Sequence, residues 1–341
     1  MRIFTGFVRK GMFICSLFFL LIVSGCKSGM ETMKPMVSGA AGEVLLVMPD
    51  AQWERPAGEK FKALLTQEIP YLPQPEPMFT LIHVSPANFD KMFFSHRNII
   101  IVKTGSQYKE ARLVIKKDQW AAPQIVIDVE APSDSTLVQL LNVRGSALVD
   151  KINQAERDRI LSNYRSYIEA PIYQTLKSKY HLTLAIPKGY SLDVDSVDFA
   201  WIASETPATS QGILIYTYPY TDEIELAPGN LIKTRNRFLK KYVHGPVEGT
   251  FMSTETLLPP LFHEFTLNGE YVAEMKGLWK LENGFMGGPF VSFTTIDKYR
   301  NRVVTVEGFV YAPSEKKREL FRQVESILYS LKIVPPETEK K

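Results

Sequence analysis

The sequence predicts an α+β protein with an N-terminal α/β domain followed by an antiparallel sheet covered by helices. Two observations carry this. From Glu43 onward, short apolar runs alternate with amphipathic segments, the pattern of an α/β layer. Beyond His181 the runs lengthen and alternate residue by residue, as strands with one or both faces covered do. With 341 residues, 45% of them apolar and 11% aromatic, the chain has material for two cores.

The first element is a leader. Arg2, Arg9 and Lys10 precede an apolar run over residues 11–23, too short to span a bilayer and of the length of a removable signal. Ser24 and Gly25 are small, and Cys26 supplies the thiol for diacylglycerol transfer, so residues 1–25 read as a lipoprotein signal and Cys26 as the lipidation site. Acyl chains contribute about 0.8 kcal/mol per buried methylene, so palmitate-type anchoring needs no apolar patch on the fold. Arg2, Arg9 and Lys10 are the only charged residues before Cys26, so the chain beyond it carries 37 basic and 37 acidic residues. That neutrality offers no basic footprint for nucleic acid. Cys15 leaves with the leader and Cys26 is acylated, which leaves no thiol for a disulfide or for catalysis.

Residues 26–42 lack periodicity and read as a flexible tether. Lys27, not Asp, follows the cysteine, and no acidic run comes after it; the expected location is the periplasmic face of an outer membrane. In the N-terminal domain, 43–154, strands are expected at 44–48, 79–84, 98–103, 112–116 and 124–129. Helices are expected at 58–68 and at 137–152, the latter capped by Ser133 or Asp134. A linking helix over 155–180 follows, with Ile160, Tyr164, Ile168, Ile172, Leu176 and Tyr180 in one stripe and a kink or break at Pro171.

The C-terminal domain, 181–334, begins with a strand at 182–186 and the turn Pro187-Lys188-Gly189. In the strand 212–218, Leu214, Tyr216 and Tyr218 face one way and Ile213, Ile215 and Thr217 the other. Asn230 is expected to cap a helix over 231–243, and a meander is expected over 251–254, 262–267, 271–280, 290–297 and 303–311, with Asn268-Gly269 as a hairpin turn. Gly287-Gly288-Pro289 reads as a bulge or tight passage. Ser314 is expected to cap the last helix, whose apolar face holds Leu320, Val324, Ile327, Leu328 and Leu331, before a charged tail over 335–341.

The order strand, proline-glycine turn, tryptophan segment, strand, helix, meander and terminal helix resembles the PsbP and Mog1-like α/β/α sandwich, which implies that fold for the C-terminal half. Trp120-Ala121-Ala122-Pro123-Gln124, His96-Arg97-Asn98, Gly277-Leu278-Trp279, Met286-Gly287-Gly288-Pro289-Phe290 and Gly308-Phe309-Val310-Tyr311-Ala312-Pro313 resemble a Bacteroidota lipoprotein family of unknown function. That resemblance implies an envelope lipoprotein and carries no active-site residue over to this chain.

No phosphate loop, dinucleotide fingerprint or nucleophile elbow is present, and no cofactor is expected. His263-Glu264 lacks the second histidine of a zinc protease, and Asp193, Asp195 and Asp198 lack the glycine and terminal glutamate of a calcium loop. Candidate binding residues are His96 and Arg97, which suit an anionic group before a strand, and Trp120 and Trp279, which suit a sugar or peptide platform. Lys233, Arg237, Lys240 and Lys241 form a basic helix face suited to anionic headgroups. Arg235 falls on the apolar side of that helix and is expected to be buried against a carboxylate.

The leading functional expectation is a membrane-anchored, non-enzymatic binding or assembly module with an envelope protein or glycan partner. The alternative is an envelope hydrolase whose Asp, Glu or His residues converge only on folding. A deep pocket gathering titratable side chains favours the enzyme; broad exposed aromatic or basic surfaces favour binding.

Overall fold

Residues 33–336 are described by the computed structural model of the chain. The leader expected over residues 1–25, the lipidation expected at Cys26 and the last charged residues lie outside the described residues. In the N-terminal lobe, strands β1 (Glu43–Val47), β2 (Thr80–Val84), β3 (Asn98–Thr104), β4 (Arg112–Lys117) and β5 (Ile125–Ala131) form one sheet in the order β2-β1-β3-β5-β4. The first four of that order run parallel and β4 runs antiparallel to β5. β5 is buried along its whole length because both faces are covered. One face meets α1 (Asp50–Trp53), α2 (Pro56–Leu65) and α3 (Asp134–Ser166) through Phe61, Leu65, Leu141 and Leu148. The other meets Phe89, Phe93 and Trp120 through Leu45, Ile99 and Val126.

Two expectations for this half need correction. Residues 36–42 belong to the fold rather than to a tether, since Ser38 exchanges backbone hydrogen bonds with Ser95 and Arg97, and Gly42 accepts one from Thr80. Positive φ at Gly39 and Gly42 allows that close path. The helix expected over 137–152 does not stop there: α3 is continuous for 33 residues from its Ser133 cap. The apolar periodicity fails at Glu156 because that carboxylate itself takes a core position, fully buried beneath Arg97 and Arg159.

α3 ends at Tyr167, and Pro171 sits in the first turn of α4 (Ala170–Thr175), the break expected there. A wide π-type turn over Leu176–Tyr180 leads to His181 in the left-handed region. Tyr164, Ile172, Leu176 and Tyr180 from the predicted stripe all enter the core of the C-terminal lobe.

That lobe comprises β6 (Leu182–Thr183), β7 (Ser191–Asp195), β8 (Phe199–Glu205), β9 (Ser210–Pro219), α5 (Pro228–Tyr242), β10 (Phe251–Thr254) and β11 (Leu261–Leu267). β12 (Glu270–Glu282), β13 (Gly287–Asp297), β14 (Arg302–Tyr311), α6 (Arg318–Leu328) and β15 (Lys332–Ile333) complete it. The main sheet runs β10-β12-β13-β14-β9-β8-β7, and β11 pairs with β12 beyond the end of β10. Ile213 and Ile215 of β9 face Val324 and Ile327 of α6. Leu214, Tyr216 and Tyr218 face Phe238 and Leu239 of α5. The lobe is thus an antiparallel sheet with helices on both faces, and the molecule is α+β.

Three local expectations are corrected and one is narrowed. The strand at 182–186 is two residues long, because Ala185 gives its N–H to the Ser330 hydroxyl instead of to a neighbouring strand. Asn230 lies inside α5, which begins at Pro228 on an Ala227 cap, and its amide bonds the Ile224 carbonyl. Gly287-Gly288-Pro289 is the tight passage and not the bulge: its register with β12 is continuous, and a Cβ at Gly288 would collide with the Val310 carbonyl oxygen and stand 3.0 Å from the Trp279 indole. Glycine there leaves room for that indole to donate to Val310. Ser314 does not cap α6. Glu76, from the other lobe, accepts from the backbone N–H groups of Lys317 and Arg318. Arg235 is fully buried and bonds Glu307 at 2.7 and 2.8 Å, in keeping with its helical position.

Candidate functional site

The lobes enclose a cleft of about 950 Å³. One wall is a single face of α3, with Asp150, Gln154, Arg157, Leu161 and Arg165 at helical spacing. The opposite wall is β11, and the floor is supplied by β12 and α6. Along β12, Val272, Glu274 and Lys276 alternate onto the face that α6 covers, which is how two charged side chains come to lie beneath a helix. Lys276 holds Glu274 at 3.1 Å and Glu325 of α6 at 2.7 Å. His263 of β11 stands 3.8 Å from Glu274 and is itself largely exposed. The Arg157 guanidinium lies 3.5 Å above the Tyr329 ring, which meets Phe293 edge to face.

Burial pushes the Glu274 carboxyl above its ordinary range despite Lys276. For Glu325 burial acts the same way, but the Lys276 ammonium outweighs it and holds the carboxylate low. Burial disfavours the charge on Lys276, and Glu325 and Glu274 together overcome that and raise it. Burial, with Glu325 adding to it, moves the Tyr329 phenol up to about 12. The floor is therefore an ammonium between two carboxylates whose proton affinities are shifted in opposite directions.

None of the eight candidates expected from sequence lines this cleft. His96 and Arg97 sit just before β3, the central strand of the N-terminal sheet: His96 is 3.5 Å from Glu43, and Arg97 is 2.9 Å from Glu156. Trp120 stacks on Phe94 in a loop clamped by Gln124, whose amide donates to the Phe94 and His96 carbonyls. Trp279 is buried in the other lobe. Lys233, Arg237, Lys240 and Lys241 are brought together on the exposed face of α5, where Lys241 approaches Asp198 at 3.5 Å. A second cavity of about 400 Å³ lies under α3, but its Gln124 and Arg159 are committed to the loop and to the Glu156 cluster. Among the described residues, no group of three or more His, Cys, Asp or Glu side chains is placed to hold a metal ion.

The residues that do meet were hidden in sequence. His263 and Glu264 look like a failed metal motif, and Glu325 like an ordinary helix-surface acid. The available signal was the Glu274 and Lys276 pair, two charges at strand alternation within the apolar run of β12.

Residues 37–165 match the model of one domain of unknown function (DUF8532), and residues 169–330 match another (DUF4837). The two matches meet where α3 ends. None of the curated proteins matches the chain. Among solved structures, LpqN of Mycobacterium tuberculosis, described as involved in cell envelope biogenesis, is 15% identical with a TM-score of 0.29, covering 45% of this chain and 83% of that one. A mutant of the protein Mog1 is 10% identical with a TM-score of 0.30, covering 46% and 92%. A Bacteroides thetaiotaomicron protein is 9% identical with a TM-score of 0.21, covering 47% of each chain. Scores this low leave fold and function to the chain's own geometry. Among the described residues no helix is long and apolar enough to cross a membrane.

Proposed function

We propose that this chain is a cell-envelope binding or assembly module, lipid-anchored at Cys26 on the periplasmic face of an outer membrane, that takes its partner in the interlobe cleft. In this reading the two lobes are its two domains, and α4 with the turn after it is their connection. The observation that carries the proposal is the cleft, about 950 Å³ between two lobes and walled by a helix face and an exposed strand. On its floor the charges are already paired: Lys276 is an ammonium locked by two carboxylates and is no nucleophile. Such a floor suits recognition of polar groups above it.

Hydrolysis is a second reading, favoured by one observation. Glu274 is pushed up and Glu325 held down although both lie against the same lysine, a separation of roles found between general acids and their partner carboxylates. Turnover of a cell-wall glycan or lipid that is abolished by Glu274→Gln would support it over binding alone.

The test of the first reading is photo-crosslinking in intact envelopes from Arg165, in the cleft, and from Arg237, on the basic face of α5, with Cys26→Ser as the unanchored control. Defined adducts from Arg165 that Arg237 does not give, and release of the Cys26→Ser chain from membranes, are expected. Adducts from Arg237 alone would move the partner to the basic face and refute the cleft.

A further inference from the structure

The wall formed by β11 has a free edge. β11 pairs with β12 on one side only, in unbroken register from Leu261↔Lys276 to Leu267↔Glu270. The two-residue turn at Asn268 and Gly269, both with positive φ, makes Leu267 and Glu270 a hydrogen-bonded pair. Antiparallel alternation then turns the N–H and C=O groups of Leu261, His263, Phe265 and Leu267 toward β12, and those of Phe262, Glu264 and Thr266 outward. Among the described residues, no backbone hydrogen bond from another segment reaches these three.

Natural sheets protect such edges with bulges, prolines or a covering element. β11 has no proline and no bulge over its seven residues, a length of about 23 Å. What faces it instead is α3, across the cleft. A helix opposite an open strand edge leaves a groove, and its donors and acceptors match those of one extended backbone.

Resting on the cleft reading above, we propose that the partner enters as an extended, unstructured polypeptide segment that adds to the sheet as a strand beside β11. Its backbone pairs with Phe262, Glu264 and Thr266, and apolar side chains at alternate positions meet Phe265 and Tyr329. Because α3 lines the same cleft, it stands in the way of edge-to-edge pairing with a second copy of the chain.

The test uses a displayed library of random linear peptides, selected on the chain without its leader. Selected peptides are expected to bind Glu264→Pro roughly tenfold or more weakly, because proline removes an outward donor and obstructs its neighbour while leaving the ladder to β12 intact. Glu264→Ala is expected to retain binding, which separates backbone from side chain. Should Glu264→Pro unfold, nuclear Overhauser contacts between bound peptide and the β11 backbone of the unaltered chain decide the matter, and they are expected at Phe262, Glu264 and Thr266. A library without binders, binders indifferent to Glu264→Pro, contacts elsewhere, or a dimer that dissociates on Glu264→Pro would each overturn the inference. If adducts from Arg165 still form in that case, the cleft remains a binding site for something other than a strand; if they do not, both readings fall.

Discussion

Glu307 and Arg235 show what a buried charge demands of this fold. Both are fully buried, the guanidinium bonds both carboxylate oxygens and the Thr254 hydroxyl, and it lies 3.7 Å over the Phe290 ring. Removing one partner leaves the other charge buried and unpaired, at a cost of about 3–5 kcal/mol. Glu307→Ala should therefore lower the stability of the C-terminal lobe by that amount in denaturant titrations; a loss under about 1 kcal/mol would mean that water reaches Arg235. His96 gives a pH dependence of defined sign. Burial moves its imidazole below the ordinary value of 6.5, against the Asn98 carbonyl and Glu43, which favour the proton. The unfolded chain then binds more protons than the native one just below pH 6.5, so this contribution is complete above 6.5 and is lost as pH falls through the folded value. His181 shifts the same way, through burial and then Arg300 and Arg302. Urea midpoints should fall on acidification from neutral pH, and His96→Gln should flatten part of that slope; an unchanged slope would assign it elsewhere. Arg235 was legible from helical spacing, whereas Glu307, 72 residues away, had no local mark.

At the scale of elements, the strands and helices were readable wherever local pattern decides them. β9 splits its residues between two cores as alternation requires, and the Pro171 break stands where proline dictates. Two of the misreadings share a cause, a local rule overridden by a distant partner. α3 runs on past residue 152 because Glu156 finds Asn98, Arg97 and Arg159. The cap of α6 is Glu76, some 240 residues earlier, where Ser314 offered the nearer candidate. Because Glu76 closes a helix end and joins the lobes, Glu76→Ala should cost about 1–3 kcal/mol and loosen α6 from the N-terminal lobe. Amide exchange at Lys317 and Arg318 reads this directly, and unchanged protection there would show that the cap is dispensable.

The described residues set two large sheets of different construction side by side, and the cleft exists only because their lobes meet. Each wall carries an ordinary signature by itself: an amphipathic helix, a strand of a meander, a helix on a sheet. The floor of Glu274, Lys276 and Glu325 arises from two elements 50 residues apart in sequence, and the α3 wall comes from the other lobe. That is why composition and motif could suggest a binding module and an anchor at Cys26 but could not point to this site. The sequence pointed instead to the basic face of α5, which the fold presents to solvent. The measurement that separates the two surfaces is amide exchange of residues 27–341 alone and with solubilised envelope components. Protection confined to β11 and the facing turns of α3 is the result predicted here, whereas protection confined to α5, or none at all, would contradict a partner in the cleft.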